Sequence, residues 1–119
     1  MASAIKRTGE FGGLLHEVVE HGDMIYFAGL VSEDLKLDMA GQTKDVLSQL
    51  DTLLKQHGSS RERVLTALIF IPDMNLNPAM NKVWKEFFPS AALPTRATIG
   101  VKDLGENVLL EVVFTAAKG

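Results

Sequence analysis

Two segments of this chain, residues 64–71 and 108–116, are apolar at nearly every position, so neither face of a strand built from them is polar. Side chains alternate between the two faces of a strand, and a strand of this kind has to be covered on both sides. In the first segment Val64, Leu68 and Phe70 fall on one side, and Leu65, Ala67, Ile69 and Ile71 on the other. In the second, Val108, Leu110, Val112 and Phe114 share one side, while Leu109 and Val113 share the other. A sheet containing both needs two covers.

The helical signals supply only one. Over residues 39–57, Val46, Leu47, Leu50, Leu53 and Leu54 recur at helical spacing and Gly58 follows as a stop. Asn77-Pro78 reads as an N-cap and first helical position, after which Met80, Val83, Trp84 and Phe87 lie on one face until Pro89. Residues 14–19 and 24–28 form a hairpin around Glu20-His21-Gly22-Asp23, and residues 95–101 and 107–116 give two further strands. The first ten or so residues are polar enough to fray. The expected order is ββαβαββ, an α/β chain of the two-layer α+β kind: one mainly antiparallel sheet with two helices on one face. Its 119 residues allow a single domain, 1–119. The helix-free face is then expected to be covered by other subunits.

Composition narrows the partners. With 12 basic and 15 acidic residues the net charge is −3, which offers no basic field for a nucleic-acid backbone. Cysteine is absent, so disulfides, thiolate metal sites and cysteine nucleophiles are excluded. The start of the chain carries no apolar stretch of the secretory kind and no run reaches membrane-spanning length, so a cytoplasmic protein with no membrane partner is expected.

Two charges stand among the apolar strands, Arg96 and Glu111. If the last two strands pair as a hairpin about Asp103-Leu104, the two residues lie opposite one another, and a slip that keeps strand parity leaves them on one face. The phase of Glu111, with Leu109 and Val113, assigns that face to the helix-free side. On spacing alone a cross-strand salt bridge accounts for such a pair more often than a site does. Burial between subunits is the circumstance in which an ion pair becomes costly unless it serves a ligand.

Pro94-Thr95-Arg96-Ala97-Thr98-Ile99-Gly100-Val101, Leu104 and Leu109-Leu110-Glu111-Val112 resemble the signature stretch of the RidA (YjgF-like) family. The resemblance continues through Met24-Ile25-Tyr26-Phe27-Ala28-Gly29, Gln42-Thr43-Lys44-Asp45-Val46-Leu47, His57-Gly58-Ser59-Ser60, Phe70-Ile71-Pro72-Asp73-Met74 and Met80-Asn81-Lys82-Val83-Trp84, about residues 14–117 in all. It implies a chorismate-mutase-like fold, a homotrimeric barrel with three sites between subunits, and cofactor-free hydrolysis of 2-enamino or 2-imino acids to 2-keto acids and ammonia. By the same resemblance Arg96 grips the small-molecule carboxylate, Glu111 orients the water, and Gly29, Thr98, Leu30 and His16 line the pocket. The departures are Thr98 where the family commonly has cysteine, Ala28-Gly29-Leu30 where it has Ser-Gly-Gln, and Leu15 or His16 where it has an aromatic. They bear on substrate identity more than on carboxylate binding. A metabolite-binding trimer without turnover, and a hydrolase of another small amide-like substrate, are the alternatives.

The remaining chemistry-bearing residues read as structural. His16, His21 and His57 are too scattered for a metal site. Trp84, Phe87 and Phe88 have core spacing, and no serine stands near a histidine and an acid. Tyr26 and Phe27 alternate, so one of them faces the helix-free side.

Overall fold

The computed structural model describes residues 4–119. Six strands form one sheet: β1 (Ile5–Phe11), β2 (Leu15–His21), β3 (Met24–Phe27), β4 (Val64–Ile71), β5 (Thr95–Gly100) and β6 (Glu111–Ala117). The helices are α1 (Met39–Gln56), between β3 and β4, and α2 (Asn77–Phe87), between β4 and β5. The strand order is β1-β2-β3-β6-β4-β5, with every pair antiparallel except β4 and β5, which run parallel. No helix is long and apolar enough to cross a membrane among the described residues.

Period-two alternation fixes the two faces. Val18, Ile25, Phe27, Ala67, Ile69, Ile71, Val112, Phe114 and Ala116 are buried and pack under Val46, Leu47, Leu50 and Leu54 of α1 and Met80, Val83 and Trp84 of α2. Trp84 stacks on Phe114 with 6.0 Å between ring centroids, which locks α2 to the sheet centre. The opposite face carries Tyr26, Leu68 and Ile99, which are 45%, 39% and 41% exposed, together with half-buried Val19, Phe70 and Val113. The expected division into one helix-covered face and one open apolar face is present, and Tyr26 is the aromatic that faces outward while Phe27 is buried.

Several expectations about the elements need correction. The last two strands do not form a hairpin: β5 lies on one edge of β4 and β6 on the other. The physical reason is α2, since a helical crossover returns the chain parallel to the strand it left, and β6, with Val112, Phe114 and Ala116 all at 0% exposure, takes a central place. The sheet is mainly antiparallel, as expected, with this one parallel pair. Of the N-terminal segment expected to fray, residues 1–3 lie outside the described residues, and Ile5–Phe11 form strand β1, which pairs with β2 from Ile5↔His21 to Phe11↔Leu15. All its residues are exposed, so backbone pairing holds it and no core pattern marks it in the sequence. A register shift between Val64 and Thr66 moves Val64 onto the helix side with Ala67 and leaves Leu65 exposed. Asn77 does not cap α2, because a 3₁₀ turn at Met74–Leu76, capped by Asp73 on the Asn75 amide, runs directly into the helix.

The connection from β5 to β6 is organised by a buried side chain. Gln42 of α1 is wholly inaccessible; its amide nitrogen donates to the Asn107 and Leu37 carbonyls at 2.9 and 3.1 Å, and its oxygen accepts from the Leu109 amide at 3.0 Å. These bonds hold residues 107–109 off the sheet, so β6 begins at Glu111 and not at the expected residue 107. Asn107 adopts a φ of 63°, a left-handed turn conformation that asparagine tolerates better than most residues.

At the other end of the sheet, Glu20 is buried and meets Lys118 at 2.9 Å, His57 Nδ1 at 3.3 Å and Lys6 at 3.9 Å. The Lys118 hydrogen bond, with help from His57, outweighs desolvation and holds the Glu20 carboxyl below its ordinary value of 4.5. Gln42→Leu strands three backbone groups and is expected to cost about 2–4 kcal/mol, read as a lower urea midpoint; an unchanged midpoint would mean that the connection is held by other contacts. For Glu20 the folded value is depressed, so its contribution is complete above the unfolded value and disappears as pH falls through the folded one. Glu20→Gln is expected to lower stability by about 1–2 kcal/mol at neutral pH, discounted because Lys6 and Lys118 are partly solvated, and the difference from wild type should shrink progressively in melts as pH falls below the ordinary carboxyl value of 4.5.

Candidate functional site

Arg96 stands on β5 beside Ala67 of β4, and neighbouring residues of a parallel pair share a face, so its side chain takes the helix side. There its Nη2 donates to Asn81 Oδ1 of α2 at 2.6 Å, and the guanidinium carbon lies 5.3 Å from the centre of the Trp84 ring. Thr98 is two residues along on the same face, half-buried beside Ile69. Partial burial pulls the Arg96 pKa down from its ordinary value, and no carboxylate is within ion-pair distance of it among the described residues. Arg96 is therefore an oriented cation at a sheet edge with most of its donors free.

Glu111 opens β6 beside Phe70, on the open face of the sheet. It borders a cleft of about 910 Å³ whose walls include Phe11, Leu15, Glu17, Gly29, Leu30 and Gln49. Leu30 is tied to Val112 by two backbone hydrogen bonds, Leu30 N to Val112 O at 2.9 Å and Val112 N to Leu30 O at 3.0 Å, which brings the Ala28-Gly29-Leu30 segment alongside Glu111. Gly29 is needed there because a Cβ would come within 2.9 Å of Glu111 Cδ and 3.2 Å of its Cγ. No cation pairs with Glu111 among the described residues.

The two charges thus do not face one another within a protomer, contrary to the hairpin expectation. They project from opposite faces, flank β4 on its two sides, and are offset by three residues along it, about 10 Å in each direction. The intramolecular salt bridge is excluded by the same geometry. Arg96 and Thr98 form one group, and Glu111, Gly29 and Leu30 form the other. His16 falls in neither: alternation along β2 places it with Val18 and Glu20, while Leu15 and Glu17 border the cleft.

The profile of the Endoribonuclease L-PSP family matches residues 4–118 of this chain. The chain belongs to this family. A RutC family protein of Haemophilus influenzae is 37% identical over 103 residues, which cover 86% of this chain and 89% of that protein. The RutC family protein YoaB of Escherichia coli is 34% identical over 101 residues, covering 85% and 88%. The crystal structure of a YjgF family member from Neisseria meningitidis superposes with a TM-score of 0.93 at 30% identity, covering all of this chain and 98% of that one. The RidA/YjgF resemblance and the chorismate-mutase-like fold it implied are borne out at the level of family and architecture.

Sequence reasoning missed Asn81 and Trp84 as neighbours of Arg96, and Glu17 as a cleft residue. The strand–helix–strand run from β4 through α2 to β5 was the available signal for the first two, because it is the pattern of a parallel crossover. Gly29→Ala should leave folding nearly intact, within about 1 kcal/mol, since its backbone needs no left-handed conformation. It should displace the Glu111 carboxylate, visible as a changed Glu111 rotamer in a crystal structure; an unmoved carboxylate would refute the close-approach argument.

Proposed function

We propose that this chain hydrolyses small 2-enamino or 2-imino acids to 2-keto acids and ammonia, at sites shared between copies of itself in a homotrimer. The observation that carries the proposal is the separation of Arg96 and Glu111. Each is exposed or half-buried, unpaired and oriented, yet they occupy opposite faces of one sheet. No small ligand can touch both in one protomer. A ligand held between two copies can meet Arg96 of one and the Glu111 cleft of the next.

Assembly is supported by the open face, where Tyr26, Leu68 and Ile99 present apolar surface that neither helix covers. Closed rotational symmetry repeats any such contact and makes equivalent sites, and the family resemblance implies three. In each, the Arg96 fork would hold the substrate carboxylate by paired hydrogen bonds, a geometry that a lysine ammonium does not reproduce. Glu111 would accept a proton from a water directed at the C2 carbon of the imine. Addition gives a tetrahedral carbinolamine, and collapse of that species forms the keto group as the C–N bond breaks and ammonia leaves with the proton returned. Orientation of water and carboxylate in a small cleft supplies the rate enhancement without a covalent intermediate. RNA cleavage, which the family description names, is disfavoured for this chain by its net charge of −3.

The test supplies the imine with a coupled amino-acid dehydratase producing 2-iminopropanoate or 2-iminobutanoate and follows its decay. Acceleration over buffer is expected, and saturable binding of keto acids without turnover would leave a binding protein and defeat the hydrolase reading. Arg96→Ala and Glu111→Gln should each be inactive while remaining assembled. Co-expressed one to one, the two variants should regain about a quarter of wild-type activity, because a randomly mixed ring pairs an intact Arg96 with an intact Glu111 at about one interface in four. A mixture as dead as its components would place both residues in one protomer's site or in none.

A further inference from the structure

Arg96 is held by a neutral partner where a carboxylate would have bound it more tightly. Asn81 and Trp84 are one turn apart on α2 and reach the same guanidinium, Asn81 through its side-chain oxygen at 2.6 Å and Trp84 through the face of its ring at 5.3 Å. The amide oxygen occupies one of the five N–H donors, and the indole face restricts the plane of the group, so the orientation is set while most of the fork stays free. An amide also adds no negative charge, so the full positive charge of Arg96 remains for an anion.

We infer that Asn81 is a positioning residue for carboxylate recognition: it fixes the guanidinium through one hydrogen bond and, by being an amide and not an acid, keeps that guanidinium available to a ligand carboxylate. This rests on the reading that Arg96 is the carboxylate anchor. Aspartate has the same shape and the same accepting oxygen, and would hold Arg96 at least as firmly. It would also neutralise Arg96 and take the donors meant for the ligand. Structural support and carboxylate binding are therefore predicted to respond in opposite ways to a single change.

The experiment uses the full-length protein with Asn81→Asp, Asn81→Ala and Arg96→Ala variants. Melting temperature is measured alongside calorimetric affinity for 2-oxobutanoate and for its neutral amide. Asn81→Asp is expected to melt at or above the wild-type temperature yet bind the acid on the order of 10-fold to 100-fold more weakly. Its preference for the acid over the amide should collapse. Asn81→Ala, which frees the guanidinium without neutralising it, is expected to weaken acid binding by only about 3-fold to 10-fold. In the coupled hydrolysis assay both Asn81 variants should raise KM more than they lower kcat, since Asn81 touches no reacting atom. Asn81→Asp binding the acid within about 2-fold of wild type, with Arg96→Ala still defective, would overturn the role of Asn81 alone. A joint loss of stability and affinity in Asn81→Asp would overturn that role equally. Arg96→Ala binding as wild type does, or wild type failing to bind, would remove the carboxylate anchor and this inference with it.

Discussion

The parallel pairing of β4 with β5 is the constraint on which the rest of the site depends. Because α2 carries the chain across the sheet between them, β5 is delivered to the outer edge of β4 with Arg96 in register with Ala67. Ala67 belongs to the buried set, so Arg96 is directed to the helix side and meets α2 itself. The element that makes the crossover also supplies the groups that orient the arginine. Had β5 turned back as a hairpin onto β6, Arg96 and Glu111 would have neutralised one another, and neither would have been free for a ligand.

The sheet has a second consequence in its open face. Two helices cover one side of the central strands, and the side they leave is built from residues such as Leu68, Phe70 and Val113, which alternate with the wholly buried Ile69, Val112 and Phe114. The helices account for one apolar face of those strands, and the other is left open within the protomer. Glu111 stands at that same open face, and the cleft it borders runs past Gly29 to Gln49 and Leu53 of α1.

Much of this was legible before the structure. Helix α1 falls within one residue of its expected span, because five apolar positions at helical spacing and a following glycine leave little freedom. The β2–β3 hairpin and the outward phase of Glu111 were likewise readable, since alternation alone decides them. Legibility failed where a residue's position depends on elements distant in sequence. Arg96 was assigned by a hairpin that the sequence permits, yet its face is decided by which edge of β4 it pairs with, a choice governed by the α2 crossover. Strand β1 was hidden for a different reason: at an edge with both faces solvated, no burial pattern exists to read. The late start of β6 depends on Gln42, 67 residues away from the amide it captures, and no local propensity at residues 107–110 reports that.

Separating the two charges also solves an electrostatic problem. A guanidinium and a carboxylate within reach of one small ligand in a single protomer would collapse onto each other whenever the ligand left, and reopening the pair would cost part of each binding event. Held on opposite faces of a stiff sheet, they cannot pair inside the chain. Arg96 is restrained by Asn81 and Trp84, and Glu111 lies close to Gly29, so each is positioned by contacts within its own chain. Preorganisation of this kind lowers the ordering cost at the moment of binding. In the proposed shared site the spacing between the charges would be a property of the assembly, favouring a ligand with one carboxylate at one end and a reactive carbon a fixed short distance away.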